Sequence, residues 1–390
     1  MENEKKMKLK NALTVADLKS MAKTRVPKMF FDYADSGALT EQTYRENESD
    51  YSKILLRQRI ARKLSGRSLK TKMIGQDVSM PLALAPVGMT GMQHANGEIL
   101  AAIAAKKVGI PFTLSTMSIC SIEDIAQATN VPFWFQLYVM RDHDYVRNTL
   151  DRAKAAGVSA LVLTMDLQIL AQRHKDLRNG LTAPPQFTPK HIYQMASRPM
   201  WCLRMLGTKR HSFGNIKGHA KGTDNLRSIA TWTHDQFDLE LTWDSVKWIK
   251  DYWGGKLILK GILDKDDAKA AVNAGADAII VSNHGGRQLD GAPSSIKVLP
   301  QIVEAVGKQV EIHIDSGIRN GQDILKAKAL GAQGAYIGRP YIYGLGAGGE
   351  AGVTRALDII RAELDTTMAL CGERDINNVG AHNIYSNDLN

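Results

Sequence analysis

His284 and Arg287 stand in the stretch SNHGGRQLDG (282–291), directly after the apolar run Ala278-Ile279-Ile280-Val281. Imidazole is the side chain whose ordinary pKa suits proton abstraction near neutral pH, and a guanidinium holds a carboxylate through two parallel hydrogen bonds. Gly285 and Gly286 between them let the backbone turn tightly and approach a ligand without a Cβ in the way. A buried strand emptying into this loop offers a base and a carboxylate clamp from one place. The alternative is a loop histidine with satisfied hydrogen bonds beside a surface arginine, and the pair alone does not decide between them.

The elements that must position this loop are legible as a repeat. Short apolar runs alternate with helix-period segments: Leu82-Ala85, Phe112-Ser115, Phe133-Tyr138, Ala160-Thr164, Leu257-Lys260, Ala278-Ser282, Ile312-Asp315 and Ala335-Gly338. Most are followed by an Ala-rich amphipathic stretch, such as 98–108 or 264–274. Eight strand–helix units predict an α/β fold, a (β/α)8 TIM barrel, in which reactive groups sit where strands end and loops begin. The strand ends here carry Ser115, Gln136, Tyr138, Thr164, Asp166, Lys260, Ser282, His284, Asp315 and Arg339. After the seventh and eighth strands come DSGIRNGQD (315–323) and GRP (338–340), glycine-rich turns that each bear an arginine. Such turns in a barrel commonly hold a phosphate on backbone N–H groups, with arginine supplying charge.

Composition narrows the classes. Of 390 residues, 44% are hydrophobic, enough for a large core. Cys120, Cys202 and Cys371 lie far apart with no CxxC pair, so neither a metal site nor a disulfide framework is expected. No apolar run approaches the roughly 18–20 residues that span a bilayer, and the start lacks the apolar core of a signal peptide, which predicts a cytoplasmic protein. No zinc-finger, RNP or helix-turn-helix signature points to nucleic acid.

The pieces FDYADSGA (31–38), LAPVGMTGM (84–92), TLSTMSIC (113–120), WFQLYV (134–139), KGILD (260–264), SNHGGRQLDG, DSGIRNGQD and IGRP resemble, in order and spacing, the FMN-dependent 2-hydroxy-acid dehydrogenases and oxidases. The similarity runs from about residue 11 to 380, and within the family it looks most like the bacterial respiratory L-lactate dehydrogenases. It implies one domain, 1–390, with FMN as cofactor, a small 2-hydroxy acid as substrate and a homotetrameric assembly. By the same resemblance His284 is the base, taking either the Cα proton or the hydroxyl proton as hydride leaves, and Asp166 is the carboxylate paired with it. An adjacent carboxylate is expected to raise that histidine's pKa. Arg287 and Arg173 match the two arginines that hold the substrate carboxylate, and Tyr33 a tyrosine that donates to it. Tyr138 matches the residue that bonds the reacting hydroxyl. Lys260 matches a cation beside the flavin ring, Ser115, Gln136, Thr164 and Ser282 its polar contacts, and Pro86-Val87-Gly88 a backbone passing its reactive face. Asp315, within Asp315-Ser316-Gly317, matches the ribityl contact, and Arg319, Gly338 and Arg339 the phosphate site.

Two segments depart from the commonest pattern or exceed it. After Asp166 many members have Thr-Pro and then Gly-Arg-Arg-Glu, whereas this chain reads LQILAQRHKDLRN (167–179), which keeps Arg173 but alters the wall around it; Met117 stands where glycolate oxidase-like members carry a large aromatic. The gap between the fourth and fifth strands is about 90 residues, far longer than a βα connection, and predicts a basic insertion over 177–240. Between Leu177 and Thr223 it holds Arg178, Lys190, Arg198, Arg204, Lys209, Arg210, Lys217 and Lys221 with no Asp or Glu, against a formal charge of +10 for the whole chain. Interleaved are Tyr193, Met195, Met200, Trp201, Leu203, Met205, Leu206 and Phe213. That mixture suits an anionic membrane surface, where each Lys or Arg adds on the order of 1 kcal/mol; a lid whose charge attracts an anionic substrate is the alternative. Mandelate dehydrogenase-like relatives attach to membranes through this insertion, which implies peripheral association with the inner face of the cell membrane and a quinone or other respiratory acceptor. Gly88, where oxidase members often have alanine, points to a dehydrogenase. The rivals are an oxidase that makes hydrogen peroxide, a mandelate or glycolate dehydrogenase, and a barrel that only binds a phosphorylated ligand.

Overall fold

The computed structural model describes residues 8–181, 188–220, 222–223, 232 and 235–385. A hairpin of β1 (Thr71–Met73) and β2 (Gln76–Val78) precedes eight parallel strands, β3 (Leu82–Leu84), β4 (Thr113–Ser115), β5 (Trp134–Leu137), β6 (Ala160–Thr164), β7 (Lys256–Ile262), β8 (Ala278–Val281), β9 (Glu311–Ile314) and β10 (Gly334–Ile337). They pair in chain order from β4 to β10, and β10 returns to β3. The ring closes between β3 and β4 through a single parallel bridge, Leu84 with Phe112, where Leu84 N–H donates to Pro111 O at 2.9 Å. This is the expected (β/α)8 barrel, and each expected run coincides with a strand to within a residue or two.

The strands are mostly apolar because both of their faces are buried, and period-two alternation sorts their side chains into two cores. Leu161 and Leu163 face the shell of helices while Ala160 and Val162 fill the barrel; Ile279 and Val281 divide from Ala278 and Ile280 in the same way. Continuing that parity one step past the apolar part brings Thr164, Ser282, Gln136, Lys260 and Asp315 inward at the C-terminal mouth. The polar mouth is therefore built by the same alternation that builds the core. Met73 and Val78 of the hairpin plug the opposite mouth.

Three helices, Val15–Arg25, Lys28–Ala34 and Gln42–Ser52, come before the barrel; the second carries Tyr33 in its last turn and is followed by the loop with Ser36 and Gly37. The long connection after β6 includes helices Pro189–Ala196 and Pro199–Leu206. Trp201 anchors the pair: it is buried, stacks on Phe30 with ring centroids 5.4 Å apart, and donates from Nε1 to Met92 O at 2.9 Å. Such a stack adds about 0.5–1.5 kcal/mol beyond its area. Further on, the buried Asn215 accepts from Ile122 N and donates to Ser118 Oγ, tying the connection to the loop after β4.

Docking divides the side chains that the sequence presents as one mixed set. Trp201 and Met205 are buried against the barrel, Met195 and Phe213 are half-buried, and Tyr193, Met200, Leu203 and Leu206 are exposed, joined by Ile192. Arg210 is not a free surface cation, since it forms a two-pronged pair with Asp124 at 2.6 and 2.8 Å. A planar guanidinium meeting a carboxylate from the helix Ile122–Thr129 after β4 holds the insertion down instead of advertising charge. Lys221 lies outside the described residues.

Candidate active site

His284 sits in a left-handed run. Its φ is 59°, and Gly285 and Gly286 follow at 69° and 72°. Left-handed backbone at a residue with a Cβ costs about 1–3 kcal/mol and persists only where the surroundings impose it. Here Ser282 Oγ accepts from His284 N–H at 3.1 Å and Ser316 Oγ from Gly285 N–H at 3.0 Å. A Cβ on Gly285 would stand 2.7 Å from Arg339 Nη1, so the glycine admits that guanidinium beside the loop.

The imidazole Nδ1 lies 2.9 Å from Asp166 Oδ1. Burial would raise the Asp166 pKa, but the charges of His284 and Lys260 outweigh it and hold the carboxyl below its usual range. An ionised Asp166 must accept, so Nδ1 carries the proton and Nε2 presents its lone pair. Burial lowers the His284 pKa; Asp166 opposes this, while the cations Lys260 and Arg173 add to it, and the net direction is down. The expected net rise is thereby corrected: the carboxylate does pull upward, yet desolvation and two cations from other elements prevail.

Asp166 fits beside β7 because of Gly261, which sequence reading passed over. Gly261 has φ +102° at a register irregularity between Lys260 and Ile262, and a Cβ there would lie 2.6 Å from Asp166 Cγ. A glycine inside an apolar strand is the available signal for such a bulge.

The two arginines converge. Arg287 donates from Nη1 to Tyr33 O at 2.6 Å and Ser36 Oγ at 2.8 Å, lies over the Tyr33 ring at 4.8 Å, and has Nη2 3.8 Å from buried Asp176. Arg173 donates from Nε to Arg287 O at 3.1 Å. Burial and the neighbouring Arg173 lower the Arg287 pKa from its usual value, and burial raises that of Asp176. A Cβ added to Gly88 would be 3.2 Å from both Tyr33 Oη and Met117 Cβ, so Gly88 has a packing reason of its own. Tyr138 lies edge-on to Phe237 at 5.6 Å, and burial, with the charges of Tyr33 and Asp166, raises its pKa. Phe237 is brought there by a bridge to Met140 and carries no sequence signal.

Around the inner rim, Ser115 Oγ donates to Gln136 Oε1 at 2.9 Å, and Lys260 Nζ donates to Ser282 Oγ at 2.7 Å and pairs with Asp315 at 3.1 Å. Burial favours the neutral amine of Lys260, but Asp315 and Asp166 outweigh it and raise its pKa, so the ammonium is kept. Ser316 Oγ donates to Asp315 at 2.7 Å, and Gly317 turns the chain under Asn47. Arg319 pairs with Glu48 at 2.7 Å; Arg339 donates to Ala34 O and Ser36 O at 2.9 and 2.8 Å. Gly338, beside Val87 at the exit of β3, precedes the helical stretch Arg339–Leu370, which non-helical backbone at Gly348 and Gly349 breaks in two, without a side-chain cap and with Pro340 in the first turn. The loop after β3, with Pro86 and Val87 at its start, is held by Thr90 Oγ1 donating to Val87 O at 2.9 Å.

Comparison with known proteins decides the family. The FMN-dependent dehydrogenase family model matches residues 22–386. The chain belongs to the FMN-dependent dehydrogenase family. An L-lactate dehydrogenase of Stenotrophomonas maltophilia is 45% identical over 371 residues, covering 95% of this chain and 98% of the relative. The monotopic membrane protein (S)-mandelate dehydrogenase superposes with a TM-score of 0.92 at 36% identity, over 96% of this chain and 99% of that one. Mandelate oxidase, solved with (S)-4-hydroxymandelic acid, matches with a TM-score of 0.83 at 32% identity, over 96% and 98%.

The residues of this enzyme fit FMN. Gln136 Nε2 and Thr164 Oγ1 are buried at the barrel mouth without protein partners, as a polar ring edge requires. Burial and the like charge of Arg319 both lower the Arg339 pKa, and an anionic phosphate relieves that repulsion. When bound, FMN takes up the two electrons removed from the substrate. Among the described residues no group of three or more His, Cys, Asp or Glu could hold a metal.

Proposed function

We propose that this enzyme oxidises a small L-2-hydroxy acid, with L-lactate to pyruvate as the preferred reaction, and delivers the electrons to a quinone or another respiratory carrier. The carrying observation is the Asp166-bonded imidazole of His284, its pKa lowered by burial, beside two arginines contributed by different loops. In this reading Arg173 and Arg287 bind the carboxylate, Tyr33 donates to it, Tyr138 bonds the hydroxyl, and His284 Nε2 takes the proton. Asp166 then stabilises the imidazolium that forms. Lys260, Ser282, Gln136, Ser115 and Thr164 hold the flavin ring, Pro86-Val87-Gly88 runs along its face, Asp315-Ser316-Gly317 holds the ribityl chain, and Arg319, Gly338 and Arg339 the phosphate. The chain acts as one domain, 1–390, with the 177–240 insertion as an appendage.

The exposed Ile192, Tyr193, Met200, Leu203 and Leu206 support attachment to an anionic membrane surface. No helix among the described residues is long and apolar enough to cross a membrane, so the attachment is peripheral in this reading. Anaerobic bleaching of the flavin by L-lactate, glycolate and mandelate ranks the substrates. Mixing the reduced enzyme with quinone or with oxygen then tests the acceptor. Reoxidation by oxygen as fast as turnover would favour the oxidase reading, and sedimentation with anionic vesicles tests the surface.

A further inference from the structure

The segment 166–173 has little structure of its own. It contains neither helix nor strand, and it exposes Ile169 and Leu170. Yet it must hold the backbone of Asp166 at one end and Arg173 at the other. Its backbone tie to the N-terminal loop is Leu39 N–H donating to Gln172 O at 3.0 Å. The side chain that spans the segment is Gln288, on the loop after β8. Gln288 Nε2 donates to Asp166 O and to Ile169 O, both at 2.8 Å, and Gln288 Oε1 accepts from Arg173 Nη2 at 3.2 Å. Two donors and an acceptor on one planar amide are matched to two carbonyls and a guanidinium. A carboxylate in that place would lose both donors and offer Arg173 an internal ion pair in competition with an incoming anion.

We propose that Gln288 is a positioning residue that fixes Arg173, through its Nη2, and the loop behind Asp166 in the geometry that receives the substrate carboxylate. This rests on the reading of Arg173 as a carboxylate clamp. Arg173 Nε is spent on Arg287 O. With one Nη2 hydrogen held by the amide, the second Nη2 hydrogen and both on Nη1 are left for the substrate. Without the amide, the guanidinium must be ordered at each binding event, so affinity for the anion falls while the proton-transfer pair, held by its own hydrogen bond, is spared.

The test uses the full-length holoenzyme with an artificial acceptor and L-lactate, comparing Gln288→Ala, Gln288→Glu and, as reference, Arg173→Ala. The expected result for Gln288→Ala is a KM raised about tenfold with kcat within about threefold, at unchanged flavin content and Tm. In Gln288→Glu the KM rises further and falls again on acidification, as the introduced carboxyl is protonated. Should the alanine variant fail to fold, the near-isosteric Gln288→Met carries the same expectation. A KM within about twofold of the parent in the alanine or methionine variant, while Arg173→Ala raises it, overturns the proposal. So does a pH-independent KM in Gln288→Glu. No effect of Arg173→Ala itself would instead overturn the clamp reading beneath it.

Discussion

The two mouths of the barrel are lined by inward-pointing polar side chains on strands of the same ring, and they differ in what those side chains bond to. At the hairpin end, buried His313 has both ring nitrogens engaged, Nδ1 with Tyr336 Oη at 3.2 Å and Nε2 with Glu311 Oε2 at 3.1 Å, and Glu311 also accepts from Ile74 N–H at 2.8 Å. At the other end Gln136 Nε2, Thr164 Oγ1 and Asp166 Oδ2 are buried and unmatched, and two cations, Lys260 and Arg173, bear on His284. A closed network fastens a plug, whereas buried donors and acceptors left open are complementary to something that is not protein. Polarity inside a barrel is thus no sign of a site until its partners are counted.

The strongest way to break this contrast is to remove a ring from each mouth. His284→Ala is expected to lower kcat by about 10²–10⁴-fold, beyond any loss of stability from leaving buried Asp166 without its partner. His313→Ala is expected to leave kcat within about threefold while lowering stability by about 1–3 kcal/mol, because Glu311 and Tyr336 lose their partner. Equal losses of activity in the two variants would erase the distinction.

Lys260→Met comes next. It leaves the carboxylate of Asp315 buried without its cation, a loss of about 3–5 kcal/mol, and it removes a contact expected of the flavin. Thermal unfolding and the flavin content of the purified variant check both consequences. A variant as stable as the parent would mean that water reaches Asp315.

The pH profile sharpens the electrostatic half of the comparison. Because His284 must be neutral to accept a proton and its pKa is lowered, the acid limb of kcat/KM should lie below the ordinary imidazole value. Asp166→Asn removes the charge that pulls this pKa upward, so the limb should move to still lower pH while the plateau falls. Movement to higher pH would contradict the assigned cause. The smallest effect belongs to Tyr336→Phe, which deletes one hydrogen bond at the closed mouth, about 1 kcal/mol by denaturant titration.

Much of this was legible in the chain. Runs such as Ala160-Thr164 and Ala278-Ser282 carry enough apolar residues to be strands buried on both faces, and their alternation already assigns Thr164 and Ser282 to the mouth. The motif SNHGGRQLDG placed a base and a clamp together, and its Gln288 was in plain view without a role, since one amide among loop residues has no partner until the fold supplies Asp166 O, Ile169 O and Arg173. Arg210 reads in the sequence only as one of the insertion's basic residues, because its partner Asp124 lies far away along the chain.

By itself, then, the sequence determined the barrel, the strand order of its polar mouth and the family, because periodicity and motif spacing are local or additive along the chain. Only the tertiary structure decided the balance of charge. The sign of the His284 shift depends on groups from β7 and from the segments after β6 meeting in one desolvated space. The fit of Asp166 depends on a missing Cβ at Gly261. Electrostatic and steric terms of this kind scale with distances between residues far apart in the chain, and those distances exist only once the ring has closed.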